Sequence, residues 1–407
     1  MTTTRPNTLL ALALAAALLP LTARAAEPGA ARREAGWSLD WRLAALAGGF
    51  SGHGVWKDSG GLAVVEGALT PTLHSGAFKL ELPVRFGAQQ TLGASLSEYS
   101  GSAGVAPEWK VRHGLRLGVE AGLTGAFRPD WPDLYQRDVS GHFTPTDRYS
   151  YLAWRAGATL WAQPVARQHL KIRYHYVSYD FRRDPSFDPS VDAEHLTPRD
   201  NGQHHLDVSY RFLREGGAVG LRVEGMHRQD SVYLARHALT GSTSFGTTPT
   251  QRLDQVEPSV EAEWKDLGGA VDLSLRYGWQ VQRDPFEGYY SYTGHHPRAA
   301  IDWRATGALS VRLEGEAWLR TYGPNSKANT EDGKRLEYQK VGAAASLRYA
   351  LGGGLSLEAE GSVLRETTNY PNLFHDLVTG PNQFGQYTVI DFDYTNWKAL
   401  AGVEWRG

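Results

Sequence analysis

The chain has 407 residues, with 42 Lys and Arg against 44 Asp and Glu and a net charge of −2, a balance that leaves no electrostatic footprint for nucleic acid. The absence of cysteine removes disulfides and thiolate metal sites. Thirteen Trp, nineteen Tyr and forty-five Gly beside only two Met argue against an adaptable helical core and for close-packed strands with aromatic belts.

The first 25 residues read as a secretory signal. Arg5 precedes an apolar run over residues 9–19, and Ala23-Arg24-Ala25 supplies the small residues of a cleavage site, so the mature chain is expected to begin near Ala26. No later stretch reaches the roughly 20 apolar residues of a spanning helix. Membrane insertion of an exported chain of this kind must therefore be by strands.

Residues 26–407 read as a single domain of strands joined alternately by short and long connections. The first strand is expected over residues 37–46, and the Gly-rich region 48–100 resists division. Residues 151–162 turn near Pro164 into 169–182, where Leu170-Lys171-Ile172-Arg173-Tyr174-His175-Tyr176 alternates strictly between apolar and charged. A long Asp- and Pro-rich loop follows. Residues 203–213 turn through Gly216-Gly217 into 218–228, and 253–265 turn through Gly268-Gly269 into 270–282. The same grammar gives 298–304 with 308–320, 337–349 with 355–365, and 394–406 as the closing strand.

One face of each strand is apolar and the other charged. A first strand that ascends and a last that descends require an even number, and the count is about 18, with 16 also compatible. The expected fold is all-β, a transmembrane antiparallel up-and-down β-barrel in the bacterial outer membrane of a Gram-negative cell. Two-layer soluble β folds would leave the alternation of short and long loops without a cause.

Energy decides which face meets lipid. Leu309, Val311, Leu313, Ala317 and Leu319 share one parity, as do Val271, Leu273, Leu275, Tyr277 and Trp279, and Trp397, Ala399, Ala401, Val403 and Trp405. The opposite parity carries Arg222 and Glu224; Glu257, Glu261 and Glu263; Arg276; Arg312 and Glu314. A charged side chain facing lipid at mid-bilayer costs about 2–4 kcal/mol, so these rows must face the lumen. They are the candidate selectivity residues, and cross-strand bracing is their alternative role. The cluster of Glu257, Glu261 and Glu263 with Arg222 and Arg276 is the foremost of them.

Two loops could carry recognition. Asp184, Asp188, Asp192, Glu194 and Asp200 match no calcium-loop spacing and read as solvated surface. Tyr370, Phe374, Phe384 and Tyr387 could stack on sugar faces or pack the loop into the lumen. No phosphate loop, zinc helix or serine-nucleophile motif is found, and no metal or other cofactor is expected. His204-His205 and His295-His296 read as strand or loop edges with no acidic partner at fixed spacing. The chain is expected not to be an enzyme.

In architecture, a signal followed by about 18 alternating strands with an Arg/Glu interior resembles the alginate-export type of porin and the compact polysaccharide-secretion porins of myxobacteria. The terminal Val403-Glu404-Trp405-Arg406-Gly407 departs from a final aromatic. The resemblance implies export of a polysaccharide handed over by a periplasmic export protein, with outer-membrane lipid and the barrel-assembly machinery as further partners. Passive diffusion or sugar uptake is the alternative, and a lipid-modifying or structural barrel a third.

Overall fold

A computed structural model describes residues 36–53, 59–92, 97–128, 131–137, 143–146, 150–182, 200–235, 248–324, 335–368 and 394–407. The first wall strands are β1 (Gly36–His53), β2 (Ser59–Ser75), β3 (Phe78–Glu81), β4 (Val84–Leu92), β5 (Ser97–Arg112) and β6 (Leu115–Phe127). A short hairpin, β7 (Trp131–Arg137) with β8 (Phe143–Thr146), forms its own two-stranded sheet. The wall resumes with β9 (Tyr151–Ala162), β10 (Gln168–Phe181), β11 (Asn201–Arg214), β12 (Gly217–Leu234), β13 (Thr250–Leu267) and β14 (Val271–Arg283). It ends with β15 (Tyr292–Arg304), β16 (Leu309–Tyr322), β17 (Glu337–Gly352), β18 (Leu355–Thr368) and β19 (Tyr394–Arg406).

Each wall strand pairs antiparallel with its sequence neighbours in the wall, and β1 pairs with both β2 and β19, so the sheet closes. Closure removes the open edges that a bilayer would penalise. β3 and β4 are two halves of one stave. Both lie between β2 and β5 in one unbroken register, with Thr72 opposite Glu81 and Leu69 opposite Val84, and Leu82-Pro83 interrupts only the strand assignment. The barrel therefore has 16 staves, the lower of the two expected counts. The higher count came from the Gly-rich region 48–100, where β1 and β2 run longer than the hydropathy pattern indicates.

Short turns gather at one end, the periplasmic one by the rule for such barrels. The turn between β13 and β14 needs left-handed backbone at Gly268 and Gly269, with φ of 62° and 78°. A side chain there would be strained.

The wall is inside-out relative to a soluble protein. Leu221 is 61% exposed on the outer face while Glu257 is 4% exposed on the inner one. Exposed Val219, Val223, Val256, Val260, Leu275 and Leu313 continue the outer surface. Aromatic rings mark its borders. Trp41 meets Trp405 edge-on at 5.0 Å at the periplasmic end, while Trp154, Trp279 and Trp397 lie toward the other. No helix of the described residues is long and apolar enough to cross a membrane.

Candidate functional site

The registers of β11 to β16 build an ionic inner wall stave by stave. Asp207 lies opposite Glu224, Arg222 opposite Ser259, Glu261 opposite Arg276, and Arg298 between Arg276 and Glu316. Because the pleat has a period of two, all these side chains point to the lumen together.

They form one connected network. Arg222 Nε donates to Asp207 at 3.0 Å, and its guanidinium lies 2.7 Å from Glu224 and 3.8 Å from Glu261. Arg276 pairs with Glu224, reaches Glu257 at 3.1 Å and Glu261 at 3.7 Å, and donates to the Ser259 hydroxyl at 3.1 Å. Gln280 donates to Glu257 at 2.6 Å. Arg298 Nε donates to His296 Nε2 at 2.7 Å, which leaves the ring proton on Nδ1 to be donated to Glu257 at 3.2 Å. The His296 ring also packs on Trp318, with centroids 4.5 Å apart.

Gly278 makes room for this arrangement. A Cβ at that position would lie 2.4 Å from a carboxylate oxygen of Glu257. The bare backbone thus lets Glu257 lie against the wall, where β14 and β15 supply its donors.

Of the residues singled out in the sequence, Arg222, Glu224, Glu257, Glu261 and Arg276 come together in this network. Glu263 stands beside it, paired with Arg211 at 2.5 Å. Arg312 and Glu314 form a more exposed local group with Asp302, at 3.2 Å between themselves and 2.8 Å from Arg312 to Asp302. A recess of about 640 Å³ on this inner face is lined by residues that include Arg211, Arg222, Glu261, Arg276 and Arg312. A larger hollow of about 880 Å³ is lined by outward-facing Tyr210, Leu221, Val260, Leu275 and Tyr277 together with Glu261, Arg276, Arg298 and Glu316.

Sequence reading missed Asp207's pairing, Gln280 and Arg298, and it placed His296 wrongly. His296 is not an edge residue without acids. It is 1% exposed, inside β15, with Glu257 at 3.2 Å and Glu316 at 3.6 Å. The cause is Pro297, which suggests that the strand starts at residue 298, whereas β15 begins at Tyr292 and carries Pro297 on its outer face opposite Tyr277. The other histidine dipeptide is likewise split by the pleat. His204 faces outward beside the Tyr174 hydroxyl at 2.7 Å, and His205 faces the lumen.

Tyr370, Phe374, Phe384 and Tyr387 lie outside the described residues, as do the expected signal segment and Asp184, Asp188, Asp192 and Glu194. Asp200, at the edge of that loop, accepts a hydrogen bond from the Phe181 amide at 2.7 Å.

No protein-family model matches the chain, and no curated protein sequence matches it. Solved structures that are similar to it include OmpT of Vibrio cholerae, at 12% identity and a TM-score of 0.43, covering 93% of this chain and 99% of that one. OccAB1 of Acinetobacter baumannii is similar at 10% identity and a TM-score of 0.46, covering 91% and 96%. The opdK protein of Pseudomonas aeruginosa is similar at 9% identity and a TM-score of 0.45, covering 91% and 99%. Likeness of this depth bears on neither solute nor direction of transport. What places the chain is its own wall, closed, apolar toward lipid and ionic within: it is a β-barrel of the bacterial outer membrane.

Proposed function

We propose that the barrel is a passive pore for small polar solutes and that the β11–β16 network is the part of its wall that reads their charge. The observation that carries this is the network's composition. Asp207, Glu224, Glu257, Glu261 and Glu316 stand against only Arg222, Arg276 and Arg298, so the wall keeps an excess of negative charge after pairing. Barrels of 16 to 18 strands are wide enough for an aqueous channel, and rings of charge in such a channel select ions by sign. Nothing in this reading asks the wall for catalysis.

Polysaccharide export, which the architectural resemblance implies, uses the same pore with a different cargo and a periplasmic partner. Two measurements separate the readings. The full chain, refolded into planar bilayers, is expected to give stable ion currents with a preference for cations; absence of current would remove the pore reading altogether. An in-frame deletion with complementation is expected to lower small-solute uptake and leave surface polymers intact. Loss of one polymer instead would establish export and overturn passive diffusion as the main role.

A further inference from the structure

The outer face of β11 to β14 stops being apolar along one register line. Leu206, Gly225, Val256 and Val281 lie opposite one another in turn, and Leu206 and Val256 are each 47% exposed. One row nearer the extracellular end, on the same parity, the line reads Tyr176, His204, His227, Asp254 and Arg283. The row beyond that places Arg252 opposite Gln229. The pleat gives all of them the side that Leu206 and Val256 take, away from the lumen.

Depth explains where the change falls. His204 and His227 stand ten residues from the periplasmic strand ends at Arg214 and Gly217. A tilted strand climbs about 2.5 Å per residue, so the change lies about 25 Å up the wall, where the apolar band of such barrels ends. Charge that is costly at mid-bilayer is tolerated at that level, beside the lipid headgroups.

The side chains are organised among themselves. The Tyr174 hydroxyl lies 2.7 Å from His204 Nδ1, and the His204 ring packs between Tyr176 and His227, with centroids 4.8 and 5.9 Å away. His227 Nδ1 lies 2.5 Å from one oxygen of Asp254, and Arg252 lies 3.6 Å from the other. Both oxygens of the carboxylate in these two rows are thus engaged. Arg283, directly opposite Asp254, is exposed and has no ion pair among the described residues. Two guanidinium groups against one carboxylate leave the patch with a net positive charge.

We propose that this patch holds the phosphate groups of an anionic lipid of the outer leaflet, with Arg252 and Arg283 as the phosphate ligands and His204 as a further donor. Guanidinium forks match phosphate oxygens, and Tyr174 donating to Nδ1 leaves the His204 Nε2–H free for the same headgroup. Asp254 and His227 set the direction of Arg252. The acyl chains lie below, along Leu206, Val256 and the rest of the apolar wall. The site is on the opposite face from the ionic network and is independent of whether the barrel conducts.

The test is native mass spectrometry of the full chain, refolded in detergent micelles and titrated with lipid A, a phosphorylated glycolipid. One lipid A is expected to bind per chain, with the dissociation constant raised about fivefold in R252Q or R283Q and about tenfold or more in the double variant. R365Q is the control for charge alone. Arg365 is an exposed outward arginine of β18, ten residues from the strand end at Leu355, with Val341 and Thr395 opposite it in place of a polar cluster. Its loss should leave the affinity at the wild-type value. Equal affinity of wild type and the double variant, or an equal loss in R365Q, would overturn the proposal. Lipid A stripped of its phosphates separates headgroup from chains: if it binds wild type as tightly as lipid A, the apolar wall alone holds the lipid and the patch has no part in it. Inorganic phosphate that displaces lipid A at equal concentration would assign the patch to a free anion and equally reject the lipid. Should the double variant fail to refold, the comparison of the two lipids on wild type decides alone. Lipid binding by a barrel that carries no current would sink the pore reading and leave this site standing.

Discussion

Glu257 on β13 accepts a hydrogen bond from His296 on β15 at 3.2 Å, across the strand that separates them, because Gly278 on β14 has no side chain in the way. Gly278→Ala would put a carbon 2.4 Å from the carboxylate. The end of a glutamate can move, so the barrel is expected to fold with the Glu257 bonds to His296 and Gln280 weakened. A loss of about 1–3 kcal/mol follows from leaving buried polar groups unpaired. Urea unfolding in lipid vesicles measures it, with Gly225→Ala as the control, since a Cβ there meets nothing closer than 3.9 Å. Equal midpoints for the two variants would show that Glu257 does not depend on the gap.

The charge balance of the wall predicts its selectivity. Glu224→Gln with Glu261→Gln removes two carboxylates that are in part open to the lumen and leaves Arg222 and Arg276 with fewer partners. The reversal potential in a salt gradient is expected to move toward anions, with the cation-to-anion permeability ratio falling by about twofold or more. High salt should shrink the difference, because these side chains are within reach of screening ions. A permeability ratio that does not change would assign the pairs to bracing alone.

The alternation in residues 170–176 was enough to fix which side of β10 meets lipid, and the same parity holds for every outward row read from β14, β16 and β19. Parity is legible because burying Arg or Glu in lipid is expensive, so each strand states its own orientation. Register is not legible. Nothing in residues 257 and 296 announces that they meet, since their approach depends on turn lengths and on a glycine in an intervening strand. Pro297 misled for a related reason: its missing N–H is a defect in a strand interior, and only the assembled wall shows that the strand runs on, with the gap in the β15–β16 ladder while β14 stays paired through Tyr277 and Pro297.

Barrel closure depends on a buried carboxylate near the chain end. Glu404 on β19 is fully buried, and it is held by Arg42 on β1, by Arg348 on β17 at 3.4 Å and by Arg406. Its pairing with Arg42 joins the last stave to the first on the lumenal face, while Trp41 and Trp405 join them on the other. Glu404→Ala would remove the carboxylate that three arginines share, leaving Arg42 with Glu66 and Glu358 and Arg348 with Glu358; because the arginines are partly open to water, the cost is about 1–3 kcal/mol. The variant is expected to lose its compact form on semi-native gels at a clearly lower temperature than wild type. Trp405→Phe, which keeps an aromatic at the border, is expected to stay close to wild type.

Asp284 ties down the extracellular loop between β14 and β15 and gives it a pH dependence of definite sign. Its Oδ1 accepts from the Phe286 amide at 3.0 Å and its Oδ2 from the Tyr290 amide at 3.3 Å, while its own N–H donates to Ser291 Oγ at 2.9 Å. Burial raises its pKa from the ordinary 3.8, outweighing the two amides, which act in the opposite direction. A raised folded-state pKa means that the ordered loop holds the proton more tightly than the open one. The resulting stabilisation is complete below the ordinary aspartate value and is lost as pH rises through the shifted pKa. Amide exchange of residues 285–291, corrected for intrinsic rates, is therefore expected to show less protection above that transition than below it. Asp284→Asn removes the titration and should flatten the profile, at a cost of about 1–3 kcal/mol to the loop because an NH₂ then opposes one of the two amide donors. A wild-type profile as flat as the variant's would show that the carboxyl does not change charge in this range.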